Sequence, residues 1–84
     1  MTIEESTNFA NQLLALGFTV NLGKRSVKLA WKNVYLPSGV CISYRVCGSK
    51  LAISNGGCVE TFHNLSPDEI IYTARQFMEG KQVL

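Results

Sequence analysis

The chain's 84 residues suffice for one domain built round one hydrophobic core. With 46% apolar and 17% charged residues it lies outside the composition of disordered chains, and its net charge of +2 permits a nucleic-acid partner without implying one. No run reaches the about eighteen apolar residues of a membrane span, and the start, MTIEEST, is acidic and polar where a secretory leader is basic and then apolar, so a cytoplasmic protein with no membrane partner is expected.

Thr2 followed three residues later by Glu5 has the pattern of a capping box. Ile3, Phe9, Ala10, Leu13, Leu14 and Leu16 recur at helical spacing behind it, and Gly17 supplies the stop. The spacing predicts a first helix over 3–16, with Gly17 in the left-handed conformation and Phe18 folded back onto Leu13. The period then changes. Phe18, Val20 and Leu22 alternate with polar residues, Gly23-Lys24-Arg25 has turn chemistry, and Val27, Leu29 and Trp31 alternate with Lys28, Ala30 and Lys32, which predicts a hairpin with one apolar face.

Asn33 to Leu36 either extends the second strand through a bulge or begins a short one, and Pro37-Ser38-Gly39 ends it. Val40 to Val46 reads as a strand with Val40, Ile42, Tyr44 and Val46 on one face, and Leu51 to Ser54 returns after Gly48-Ser49. Asn55-Gly56-Gly57 is a hairpin signal. A two-residue Asn55-Gly56 loop sets Ile53 against Cys58 and turns Cys58, Glu60 and Phe62 inward. A three-residue loop sets Ile53 against Val59 and turns them outward beside Lys50. The second is favoured because it buries no carboxylate.

Ser66 before Pro67-Asp68-Glu69 is a complete helix start: N-cap, proline at N1, acids at the positive end of the dipole, and a capping box. Leu65 and Ile70 form a hydrophobic staple, Ile70, Ile71, Ala74, Phe77 and Met78 make the buried stripe, and Gly80 closes the helix. The expected fold class is α+β: one domain spanning 1–84, ordered helix, antiparallel sheet of four to five strands, helix. With one apolar face per helix, both pack on one side of the sheet and leave the other open.

Three cysteines raise the question of metal, disulfide or nucleophile. An odd count without a secretory leader argues for reduced thiols. Cys41 and Cys47 share a face but stand six residues, about 20 Å, apart along one strand, too far for one bridge or one zinc ion. No C-x-x-C occurs and His63 is the single histidine, so neither metal nor cofactor is expected, and packing accounts for the thiols. His63 precedes the second helix as a loop residue, Asp68 and Glu69 are explained by capping, and no nucleotide-binding, nucleophile-elbow or zinc-protease motif occurs.

Lys24, Arg25, Lys28, Lys32, Arg45 and Lys50, six of the eight basic residues, fall in the sheet region. By strand parity Lys28 and Arg45 lie on the face away from the helices, and with Lys24 and Arg25 they form a basic strip. A solvated sheet face carries such residues for solubility alone. The functional alternative is a surface for an acidic protein or for nucleic-acid backbone.

The element order is similar to that of double-stranded RNA-binding domains, whose second helix begins with a lysine cluster; here that position reads Ser66-Pro67-Asp68-Glu69, of the opposite charge. Leu14-Ala15-Leu16-Gly17-Phe18-Thr19-Val20 resembles the toxin ribonucleases of the HicA type, which place a Gly-Ser-His motif in the following strands; here Gly23-Lys24-Arg25-Ser26 stands without a histidine. Neither family is claimed.

The expected function is a small non-catalytic protein-binding module, of a size and plainness that suit a stoichiometric inhibitor or adaptor such as phages use against a host defence or host enzyme. Its candidate binding residues are Lys24, Arg25, Lys28, Arg45, Lys50 and Phe62. The alternatives are nucleic-acid binding through the basic strip, with Tyr35 or Phe62 stacking on a base, and a small ribonuclease-like enzyme using His63. An unpaired edge strand in the second hairpin further points to a homodimer.

Overall fold

The chain, described over residues 1–79 by a computed structural model, runs α1 (Ile3–Ala15), β1 (Thr19–Leu22), β2 (Val27–Tyr35), β3 (Cys41–Cys47), β4 (Lys50–Asn55), β5 (Cys58–Phe62) and α2 (Pro67–Met78). The five strands form one antiparallel meander in chain order, β1 and β5 at the edges. Both helices lie on one face, as the expected α+β arrangement requires: Phe9, Ala10 and Leu13 of α1 and Ile70, Ile71 and Ala74 of α2 share a core with Val27, Ala30, Ile42, Tyr44, Val46, Leu51 and Ile53 of the sheet. Among the described residues no helix is long and apolar enough to cross a membrane.

Both helix starts follow the sequence. Thr2 and Ser66 are N-caps with reciprocal capping boxes to Glu5 and Glu69. The end of α1 does too. Gly17 takes φ +92, its N–H donates to the Leu14 carbonyl and that of Phe18 to Leu13, so Phe18 folds into the core. Ile3 and Leu14, expected in the buried stripe, are exposed, and Ser6 takes the inward position one turn before Phe9 and Ala10. The Ser6 hydroxyl donates to the Arg25 carbonyl and ties α1 to the β1–β2 turn. Gly80, expected to close α2, lies outside the described residues.

The first hairpin departs from expectation at one residue. Leu22 pairs with Val27 and Asn21 with Leu29, which leaves Lys28 as a β-bulge. An extra residue reverses which side chains face the core. Val27 is therefore buried, and beyond the bulge Ala30, Lys32 and Val34 turn toward the helices while Leu29, Trp31, Asn33 and Tyr35 turn away. The expected apolar face of Val27, Leu29 and Trp31 is corrected accordingly. Lys32, expected outward, lies on the helix side, where its ammonium donates to the Leu16 carbonyl at the end of α1.

The last hairpin differs as well. Asn55 pairs with Cys58, Ile53 with Glu60 and Leu51 with Phe62, so the loop is Gly56-Gly57, with Gly56 at φ +67. Neither expected register is adopted, and the favoured outward orientation of Cys58, Glu60 and Phe62 is overturned. Phe62 faces the helices, half-buried, with its ring 5.9 Å from that of Phe77. Glu60 also points to the helix side but stays exposed on the edge strand β5. The burial penalty that argued against this orientation is therefore not incurred.

Candidate functional site

Among the described residues nothing covers the sheet face opposite the helices, and the composition of that face follows from the register. One row crosses all five strands as Thr19, Trp31, Arg45, Ala52 and Thr61. The next runs Asn33, Ser43, Ser54 and Val59, and the Ser43 hydroxyl donates to Asn33 Oδ1 at 2.8 Å. Tyr35 beside Cys41 lies beyond these, while Leu29 beside Asn21 and Cys47 beside Lys50 lie toward the other end.

Large apolar surface is exposed here. Trp31 is 44% accessible, Tyr35 71% and Val59 66%. A depression of about 410 Å³ is lined by Leu29, Trp31, Asn33, Ser43 and Arg45. A smaller one of about 150 Å³ is lined by Ser43, Arg45, Ala52, Ser54 and Val59. Ser43 and Arg45 line both, so the two depressions adjoin across β2 to β5 with Arg45 in the wall between them.

Charge is divided by layer. Glu4, Glu5, Asp68 and Glu69 lie in the first turns of the helices, Glu79 caps α2, and Glu60 sits on the helix side of β5. These are all six acidic residues of the chain. None stands on the open face, which carries Arg45 and Lys50. The Gly23–Ser26 and Gly48–Ser49 turns lie at one end of the meander, so Lys24, Arg25, Lys28 and Lys50 lie toward that end, Lys50 one row from Arg45.

The structure thus brings Lys24, Arg25, Lys28 and Lys50 toward one end of the sheet, with Arg45 in the central row. Lys28 is the bulge residue, to which parity does not apply, and its stem packs over Gly23. Phe62 is on the opposite face from Arg45 and Lys50 and is not part of this surface. Its place as exposed aromatic is taken by Trp31, which the alternation of β2 alone places on the apolar face with Val27 and Leu29. A signal for this was present. Val27 and Val34 stand an odd number of residues apart, so one strand can bury both only if it contains a bulge.

The remaining candidates are dispersed. Cys41, Cys47 and Cys58 are free thiols, and among the described residues no group of three His, Cys, Asp or Glu is placed to hold a metal ion. His63 is exposed just after β5, whereas Cys41 and Cys58 lie at the other end of the sheet. Between the helix starts, a depression of about 300 Å³ is bounded by Glu5, Gln12 and Asp68. The Thr2 backbone N–H, which donates to the Glu5 carboxylate, and then the nearby Thr2 hydroxyl hold the Glu5 carboxyl below its usual range, so this group is already engaged in capping. No protein family, curated protein or solved structure matches the chain.

Proposed function

We propose that the chain is a non-catalytic protein-binding module that docks a partner on the open face of its sheet. The observation carrying this reading is Trp31, the single tryptophan, 44% exposed in the central row of an acid-free face. Tryptophan and arginine are the side chains most enriched where binding energy concentrates, and the grooved surface round them gives an anchor somewhere to seat. A module of this size with one such face suits a stoichiometric inhibitor or adaptor, of the kind phages direct at a host defence or host enzyme; this step is an analogy of size and plainness.

Affinity capture from the lysate of its native cells, with and without nuclease, tests the reading. Wild-type protein is expected to retain one stoichiometric protein after nuclease, and the Trp31→Ala and Arg45→Glu variants, folded by circular dichroism, to lose it. Undiminished capture by both variants would remove this face from consideration.

One observation favours nucleic acid as a second reading: Trp31 and Tyr35 stand on the same face as Arg45 and Lys50, an arrangement suited to stacking bases along a cationic groove. Under that reading all captured material disappears on nuclease treatment, and affinity falls steeply with salt.

A further inference from the structure

The groove's layout bears on the chemistry of what it holds. A second copy of the chain is a poor occupant. Two open faces meeting about a twofold axis bring Arg45 and Lys50 of one copy against the same cations of the other. A basic face laid on the acidic helical layer of the next copy makes a head-to-tail contact, which gives a ring or a filament and leaves the open face of a lone twofold pair unmatched. An anionic partner of another kind has neither difficulty.

Arg45 is the charged residue in the wall shared by the two adjoining depressions, with Leu29 and Trp31 lining one and Ala52 and Val59 lining the other. A guanidinium in this position is a forked donor matched to a carboxylate. From β2 to the middle of the β4–β5 pair is two and a half strand spacings, about 12 Å, and four residues of extended chain cover about 13 Å. Alternate side chains of an extended segment point the same way. Resting on the binding reading above, we infer that the open face takes an extended peptide segment of the pattern apolar-x-acidic-x-apolar. Its central carboxylate pairs with Arg45, one apolar side chain lies on Leu29 and Trp31, and the other lies between Ala52 and Val59.

Selection of a random dodecapeptide phage library on the immobilised full-length protein tests this, with labelled oligo(dT) and oligo(rU) as parallel probes. Enriched peptides are expected to carry Asp or Glu flanked at two residues on each side by apolar residues. Changing the central Glu of a selected synthetic peptide to Gln is expected to weaken binding about tenfold, the scale of a hydrogen-bonded charge. Selection on Arg45→Glu is expected to replace the central acid with Lys or Arg, whereas Arg45→Lys keeps the acid preference with weaker binding.

Peptides that depend on Trp31 but show no acidic centre, or ignore Arg45→Glu, overturn the inference and leave the binding face standing. Peptides indifferent to both Trp31→Ala and Arg45→Glu bind elsewhere and overturn the reading beneath it as well. No enrichment of any peptide overturns the inference, and salt-sensitive capture of the oligonucleotides in its place moves the face to nucleic acid.

Discussion

Lys32 is a charged side chain facing the helical layer. Its stem crosses the end of α1 and its ammonium donates to the Leu16 carbonyl, where the last carbonyls of a helix carry partial negative charge. A lysine there neutralises a helix end in the same stroke as it satisfies a carbonyl. Lys32→Met keeps the stem and removes the charge. It is expected to lower stability by about 1 kcal/mol, measured by urea denaturation, and unchanged or increased stability would show that the contact contributes nothing. Phe62 makes the opposite point about β5. Its ring meets Phe77 at 5.9 Å on the helix side, so Phe62→Ala is expected to cost about 2 kcal/mol for lost burial and ring contact. The same substitution is expected to leave peptide or partner affinity unchanged. Reduced affinity at full stability would restore Phe62 to the binding surface.

Among elements, the two helices are the most legible from sequence, because capping boxes, the proline at N1 and a helical apolar stripe all act within one segment. Their acid response follows from the same contacts. The Ser66 backbone N–H, and then its hydroxyl, hold the Glu69 carboxyl below its ordinary range, as those of Thr2 do for Glu5. A depressed carboxylate contributes stability above the pKa it has when unfolded and loses it as pH falls through the folded value. Stability is therefore expected to decline below about pH 4.5. In Glu69→Ala that decline is expected to be shallower, and an acid limb identical to wild type in thermal melts would contradict the assignment. The hairpins were less legible. The β2 pattern admits two phases, and a single unpaired residue, Lys28, selects between them through pairing with β1. Asn55-Gly56-Gly57 likewise admits several registers, and the one adopted places Glu60 on the helix side at an edge where it remains in water. Both outcomes depend on which neighbouring strand or layer is present: the odd Val27–Val34 spacing signals a bulge in β2 without placing it, and the alternation in β5 signals no register.

At the scale of the whole molecule, the fold separates two tasks. Helices and the inner sheet face make one continuous core, with acidic residues confined to the helical layer and the edge, while the outer sheet face keeps Trp31, Tyr35, Leu29 and Val59 in solvent beside Arg45 and Lys50. The sheet's existence and its open side were readable from the order of elements. The content of that side was not, since it turns on the bulge at Lys28. Arg45 and Lys50 are legible by their charge, whereas an isolated tryptophan in an alternating strand reads as core. Burial of Trp31 in the free chain is thus the alternative that the account must exclude, and its being the single tryptophan makes the exclusion direct. The measurement to make is intrinsic fluorescence with iodide and caesium quenching, on the free protein and then with a selected peptide or captured partner. The account predicts red-shifted emission quenched more by iodide than by caesium, then a blue shift and loss of quenching in the complex. Blue-shifted, unquenchable emission from the free protein, or quenching unaltered by the bound partner, would contradict it.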